Sequence, residues 1–349
     1  MSVAPRNPYL RLLYEHLAPQ GIELVERPTF SLKGLWRARL KVQILHFHWP
    51  DGLYRSGRGP ARLRAALSWA KLVLFAARLV TARILGYRLV WTIHQVFPHE
   101  SADRRLDRLA VRVLGRACHL LMAHDASTAA HARSELATGT KRIAIVPHGS
   151  YIGVYPAGRA RKAVRDELGL PQESYVFLSF GEVRAYKEID LLLAAFSRVS
   201  LPNLRLVIAG NAKTPEVAFT VHEACASDPR ILALLKFVPD GRVYELAHAA
   251  DAAVLPRGEP GTSGSFVLAL SMGLPVVAAD VQTARELTRD GRAGWHFRPH
   301  DVSSLQTALE RAASDPAEAR ARGRCAFEIA RRLDWVEIAR DHAMLLRQT

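Results

Sequence analysis

A chain of 349 residues is long enough for two domains of roughly 100–200 residues each. With 49% apolar and 23% charged residues it can bury a real core, which excludes a disordered chain. Cys118, Cys225 and Cys325 stand far apart without a CxxC pair, which speaks against a disulfide framework or a zinc site and suits a reducing compartment.

Lys and Arg number 48 against 33 Asp and Glu, a formal charge of +15. Residues 1–150 hold 23 bases and 9 acids, net +14, while residues 151–349 hold 25 and 24, net +1. Between Asp51 and Glu100 there are eight basic residues and no acid. Such asymmetry points to an anionic partner for the first half, nucleic acid or an anionic membrane surface. The opening residues lack an apolar core with a small-residue cleavage site, so no signal peptide is expected. The most apolar stretch, 63–90, is broken by Arg64, Lys71, Arg78, Arg83 and Arg88, so no transmembrane span is expected and the protein reads as soluble and cytoplasmic.

In chain order, apolar runs alternate with amphipathic stretches, the pattern of βαβ units and a parallel sheet. In the first half helices are predicted at about 9–17, 59–85, 103–116 and 127–136, and strands at 42–47, 88–93, 119–123 and 142–146. In the second half strands are predicted at 175–180, 205–209, 233–237, 252–255 and 275–278, with helices at 189–199, 215–226, 242–250, 265–272, 302–313 and 316–331. The pattern gives two doubly wound α/β domains, 1–152 and 153–330, joined where Gly and Pro break it at 148–159, with 331–349 left as a closing segment.

Two motifs carry chemistry. In residues 181–196 (GEVRAYKEIDLLLAAF) a strand ends in a glycine turn and two cations, Arg184 and Lys187, precede a helix. A diphosphate is favoured beside cations and the unpaired N–H groups of a helix start. In residues 259–278 (EPGTSGSFVLALSMGLPVVA) small residues open a helix that Gly273-Leu-Pro275 turns into a strand. Ser263 and Ser265 can cap that helix or donate hydroxyls to a phosphate held at its amino end. Ordinary loop cations and an ordinary helix cap account for either motif taken alone.

The order of these motifs resembles the bacterial GT-B glycosyltransferases of the family 4-like superfamily. The similarity runs over nearly the whole chain: residues 45–50 (LHFHWP), 90–94 (VWTIH), 145–151 (IVPHGSY), 181–196, 207–211 (VIAGN), 237–239 with 250–256 (FVP, ADAAVLP), 259–278 and 333–339 (LDWVEIA). It implies two Rossmann-like domains facing a cleft, a nucleotide sugar bound mainly by the second, and a closing helix that returns to the first. It also extends the expected donor site to Gly181, Gly210, Asn211, Glu259 and Gly264. Common retaining members carry a glutamate where this chain has Leu268, eight residues after another acid; here Pro260 stands at that earlier position and Glu259 is the only nearby acid. The 263–265 loop, 92–100 and 147–156 are more similar to a subset that includes exopolysaccharide mannosyltransferases, some of them inverting.

An inverting transfer needs a base in reach of the acceptor hydroxyl and cations or dipoles on the departing diphosphate. The resemblance places the base on the first domain, where Asp51, His94, Glu100 and Asp125 each closely follow a predicted strand. His46 and His48 alternate on a strand and share a face; their spacing would suit two metal ligands, but no further ligand cluster appears in the sequence, so cleft lining on the acceptor side or buried polar roles are expected. No DxD-type metal motif is present, so neither a metal ion nor another cofactor is expected. Arg64, Lys71 and Arg78 recur every seven residues among Leu67, Trp69, Leu72, Leu74, Phe75 and Leu79, a pattern that can rest on an anionic inner leaflet. A buried helix with a solvated basic edge accounts for the same residues.

The expected partners are a nucleotide-sugar donor, GDP-mannose first, a polyprenyl-diphosphate-linked saccharide acceptor and the inner face of the bacterial inner membrane. A retaining transferase using UDP-glucose, a noncatalytic scaffold of the same fold and a nucleic-acid-binding protein are the alternatives. RNA motifs with interleaved aromatics and a helix-turn-helix are missing, so no nucleic acid is expected.

Overall fold

A computed structural model describes residues 8–349 apart from 26–28, 58–59, 100, 138, 140–141, 202, 260 and 262. The chain forms two compact units, one running to Gly149 and resuming at Trp335, the other Ser150–Asp334. The joins stand after Gly149 and Asp334, against the expected 152 and 330.

The first unit begins with α1 (Pro8–Leu17), α2 (Leu32–Ala38), β1 (Ile44–Phe47), α3 (Asp51–Tyr54) and α4 (Ala61–Ile84). It continues through β2 (Arg88–Ile93), α5 (Arg104–Ala117), β3 (Leu120–Ala123), α6 (Ala126–Leu136) and β4 (Ile143–Ile145). Among the described residues its four strands are parallel, in the order β1-β2-β3-β4. Leu89–Ile93 are all buried, as expected of a parallel strand covered on both faces. Side-chain caps set the helix starts: Ser31 accepts from Gly34 N–H, Asp103 from Arg105 and Leu106, and Asp125 from Thr128.

The second unit holds α7 (Arg161–Glu167), β5 (Tyr175–Phe180), α8 (Ile189–Arg198), β6 (Leu204–Ala209), α9 (Pro215–Ser227), β7 (Ile231–Leu234) and α10 (Asp240–Ala249). There follow β8 (Ala252–Leu255), α11 (Gly264–Ser271), β9 (Val276–Ala279), α12 (Gln282–Thr288), β10 (Gly294–Phe297), α13 (Val302–Ser314) and α14 (Pro316–Arg331). Among the described residues the six strands are parallel, in the order β10-β9-β8-β5-β6-β7, which reverses direction between β5 and β8. This is the doubly wound Rossmann arrangement. The last helix, α15 (Trp335–Arg347), packs on α1 in the first unit.

Several elements escape the sequence pattern. α2, α3, α7, α12 and β10 are each seven residues or fewer, too short to show a period. The edge strand β7 lies at Ile231–Leu234 instead of 233–237, because its pairing with Leu206–Ala209 ends there.

The 24-residue α4 divides by face. Ser68, Leu72, Phe75, Leu79 and Ala82 are buried, and its apolar members join the first unit's core. Leu63, Leu67, Val73, Val80 and Ile84 form an outward apolar stripe, with Val73 70% and Ile84 79% exposed. Among the described residues α4 is the one helix long and apolar enough to cross a membrane by length and composition. Its buried seam is committed to the fold. The cations Arg64, Lys71 and Arg78 interleave with Ser68, Phe75 and Ala82 at spacings of three and four, so they flank that seam rather than centre the outer face. Lys71 donates to the Arg55 carbonyl at 2.9 Å, and Arg78 is half-buried with its Nε enclosed.

Candidate functional site

In an open doubly wound sheet, ligands bind outside the carboxyl ends of the strands where the winding reverses. In the second unit that point lies beyond β5 and β8, and a cavity there is lined by Lys187, Arg257, Glu259, Ser263, Ser265 and Thr283. Gly181, directly after β5, has φ +105°; a side chain there would begin 2.8 Å from Ser265 Oγ and 3.1 Å from Lys187 Nζ. A hydroxyl, an amine and bare backbone therefore meet at one place. Gly210, after β6, has φ +145°, and a Cβ there would stand 2.0 Å from the Gly181 carbonyl oxygen. Glycine at both positions lets the two loops lie together, joined by Val183 N–H to the Asn211 carbonyl (3.0 Å) and Lys213 N–H to the Val183 carbonyl (3.1 Å). Asn211 contributes that carbonyl while its side chain is exposed.

The two cations expected to act together part company. Burial pushes the Lys187 amine down to about 8, against the pull of the Glu182 carboxylate and with repulsion from Arg257 and Arg184. Arg184 instead turns onto Glu182 at 2.8 Å, whose other oxygen takes Lys213 Nζ at 2.5 Å, and it is not among the residues lining the cavity. Glu188 braces the rim: in a left-handed conformation (φ 55°), it accepts from Gly258 N–H at 2.8 Å and meets His300 Nδ1 at 3.1 Å. No sequence pattern marks that role. Ser263 stands at the amino end of α11 without capping it through its side chain, and Gly264 follows. Leu268, in place of the glutamate of retaining relatives, is buried on α11.

At the carboxyl ends of the first unit's strands stand four histidines: His48 after β1, His94 after β2, His124 after β3 and His148 past β4. Three of them connect in series. His48 Nδ1 lies 3.1 Å from His94 Nε2, His94 Nδ1 lies 3.2 Å from His124 Nε2, and His124 Nδ1 lies 3.0 Å from the Val146 carbonyl. A carbonyl only accepts, so His124 carries its proton on Nδ1 and its Nε2 accepts from His94; the same logic puts the His94 and His48 protons on Nδ1. Burial drives all three well below the usual imidazole range, His124 to about 3, so the rings are neutral. His148 donates from Nδ1 to the Gly149 carbonyl at 2.8 Å, and burial lowers it to about 4. Tyr9 of α1 lies among them, its ring centroid 4.8–5.8 Å from those of His48, His94, His124 and His148. His46 shares the His48 face, their centroids 4.2 Å apart, and bonds Thr92 and Tyr14 instead. Within the series the nitrogens face one another or the Val146 carbonyl, except His48 Nε2, which is enclosed without a hydrogen-bond partner; among the described residues no group of His, Cys, Asp or Glu is arranged to hold a metal ion.

These contacts sort the four candidate bases. Both His94 nitrogens are committed to the series. Asp125 is buried, one oxygen on Thr128 N–H at 2.7 Å and the other on Thr128 Oγ1 at 2.9 Å, as the cap of α6. Glu100 lies outside the described residues. Asp51 opens α3 just beyond β1, half-buried, and its carboxylate makes no hydrogen bond or ion pair among the described residues.

Residues 160–327 match the family model of Glycosyl transferases group 1. The chain is 30% identical over 294 residues to the GDP-mannose:glycolipid 4-beta-D-mannosyltransferase of Xanthomonas campestris pv. campestris, covering 84% of this chain and 76% of that protein. Its fold is similar to sucrose-phosphate synthase from Thermosynechococcus elongatus (TM-score 0.75, 18% identity, 97% and 92% of the two chains). It is also similar to WaaG, a glycosyltransferase involved in lipopolysaccharide biosynthesis (TM-score 0.67, 18% identity, 96% and 94%). Two parallel-sheet units, a crevice lined by Lys187, Arg257, Ser263 and Ser265 at the winding reversal of the second and a relative 30% identical over most of the chain agree on one conclusion: the protein belongs to the group 1 glycosyltransferases and has the GT-B fold.

Proposed function

We propose that this glycosyltransferase moves mannose from GDP-mannose to a lipid-linked saccharide at an anionic membrane surface, as a step of exopolysaccharide assembly, with inversion at the anomeric carbon. The observation that carries the proposal is the crevice where Lys187, Ser265 and the Gly181 backbone converge beside the amino end of α11, in a chain 30% identical to a mannosyltransferase that acts on glycolipid. The diphosphate lies against the first turn of α11, its charge met by Lys187, Arg257 and backbone N–H groups without a metal ion. Glu259 and Thr283, on the same cavity wall, face the sugar. Asp51 takes the proton from the acceptor hydroxyl as that oxygen attacks the anomeric carbon, and the nucleoside diphosphate leaves from the opposite face. A buried leucine at 268, where retaining relatives carry a glutamate, supports inversion.

Two neighbouring surfaces support the membrane assignment. Leu32, Trp36 and Leu40 are exposed at four-residue spacing, each followed by a cation, Lys33, Arg37 and Lys41, and Arg39 lies over the Trp36 ring. The outward apolar stripe of α4 belongs to a helix that packs on α2. An apolar face rimmed by cations suits the boundary of an anionic leaflet, at about 1 kcal/mol per basic residue near the surface.

A thermal-shift series with GDP, UDP and their sugars tests the donor, because a ligand of the folded state raises the melting temperature by mass action. GDP and GDP-mannose are expected to raise it, and the product of GDP-mannose turnover is expected to be β-linked. A rise with uridine nucleotides alone would replace the donor, an α-linked product would make the enzyme retaining, and no rise with any nucleotide would remove the crevice as donor site.

Lys187 adds a pH signature. Its amine is cationic below about 8 and neutral above it, and a diphosphate holds it in the cationic form. Affinity for GDP is therefore expected to stay level from pH 6.5 to 7.5 and to fall by up to about tenfold per unit above pH 8. Lys187→Met is expected to weaken binding and abolish that slope in calorimetric titrations. An unchanged slope in the variant would place the titrating group elsewhere.

A further inference from the structure

Trp49 follows His48 out of β1 and precedes Asp51 by two residues. Its side chain is half-buried, and its ring lies on His94 with centroids 4.2 Å apart and planes 17° from parallel. Its other ring contacts, with Tyr9 at 6.5 Å and His48 at 5.8 Å, are edge-on or tilted. Among the described residues, His94 is thus the one ring stacked on the indole. The backing ring cannot turn. His94 is held at Nδ1 by His124 and at Nε2 by His48, and the far end of the series is anchored on the Val146 carbonyl. Because the three rings are neutral and donate in one direction, a half-turn of any of them puts ring carbons where its nitrogens were and breaks its hydrogen bonds in the series.

We propose that Trp49 is the platform on which a pyranose ring of the acceptor saccharide stacks, and that His48, His94 and His124 are positioning residues that fix the plane of the indole. This rests on the reading that a sugar hydroxyl is the acceptor. An indole presents a broad apolar surface with a negative π face, and the axial C–H groups of a pyranose carry the complementary partial charge. A sugar lying flat on Trp49 is bound through its C–H face, which leaves its hydroxyl edge open. Asp51 is two residues along the same turn, and its carboxylate has no hydrogen-bonding partner among the described residues. The aromatic surface orients the ring, and the carboxylate takes one hydroxyl of it. A site built this way selects for a sugar with an unbroken C–H face at the acceptor end and is indifferent to the nucleotide of the donor.

The test uses the full chain with n-octyl β-D-glucopyranoside and n-octyl α-D-mannopyranoside as probes, read by saturation-transfer NMR. Ring protons of at least one probe are expected to take up saturation in the wild type, to lose about tenfold or more of it in Trp49→Ala and to keep most of it in Trp49→Phe. Melting temperatures of both variants check their folding, and the nucleotide thermal shift should be the same in all three proteins. Equal probe binding by Trp49→Ala and wild type, or no binding of either probe by the wild type, overturns the platform. The donor assignment fails on a different readout, the nucleotide shift, so the two failures cannot be confused. For the positioning residues, long-range proton–nitrogen spectra at pH 7 are expected to show His48, His94 and His124 protonated on Nδ1, the minority form of a free imidazole. Protonation of His94 on Nε2 would overturn the fixed backing.

Discussion

Asp51→Asn is expected to lower the rate of sugar transfer by about 10²–10⁴-fold, the usual contribution of a positioned general base, with donor affinity and melting temperature close to wild type. The reason lies in how the four candidate groups are used. Asp125 spends both oxygens on Thr128, so Asp125→Ala should cost about 1 kcal/mol of stability through the lost cap and leave turnover nearly intact. His94 has no nitrogen left to receive a proton without breaking its series. Asp51 alone of the described candidates offers an uncommitted carboxylate, on a turn that follows a strand's carboxyl end. Single-turnover assays with saturating donor separate the outcomes. A full rate in Asp51→Asn removes Asp51 from the chemistry and moves attention to Glu100.

Acid is expected to unfold the first unit between about pH 6.5 and 5. Six imidazoles there, those of His46, His48, His94, His124, His148 and His342, are held below the normal range, each chiefly by burial. A histidine whose folded pKa is depressed stabilises the fold above its unfolded value of about 6.5, and that stabilisation is lost as pH falls toward the folded value. His124, at about 3, and His148 and His342, at about 4, would each cost about 2 kcal/mol on going from pH 7 to 5. Three such losses, about 6 kcal/mol, match the net stability of many whole domains. Urea titrations followed by tryptophan fluorescence should show the midpoint dropping steeply over this range, whereas the same midpoint at both pH values would mean that the imidazoles are already charged or solvated at pH 7. His124→Phe, which removes one titrating group, should flatten part of the slope.

The sequence made some of this legible and hid the rest for physical reasons. Strands at 175–180 and 252–255 stand at their expected bounds because both are predominantly apolar runs ended by Gly or Pro. The pairing of His46 and His48 on one face follows from the two-residue period of a strand. The series joining His48, His94 and His124 spans 76 positions and depends on strand register, which no local pattern records. The separation of Arg184 from Lys187 had a readable ingredient, Glu182, yet spacing alone cannot tell which cation a neighbouring carboxylate will take. The α4 stripe of Arg64, Lys71 and Arg78 was visible as a period of seven, but only packing shows that the buried seam runs beside it. Exposed Trp36 on α2 escaped notice because its helix is seven residues long.

The first unit is written in two pieces, and this orders its birth on the ribosome. Its four strands emerge early, but α15, the partner of α1, is made only after all of Ser150–Asp334. Gly149 lies so close to the Trp335 ring that a Cβ there would stand 2.2 Å from it, so the end of the early piece is shaped to receive the start of the late one. The second unit is a continuous segment and can complete its fold during synthesis, as contiguous domains generally do. The first must wait, with its α1 surface uncovered, until the chain comes back to it. A nascent chain stalled before Trp335 therefore carries one finished domain and one that chaperones still have reason to hold.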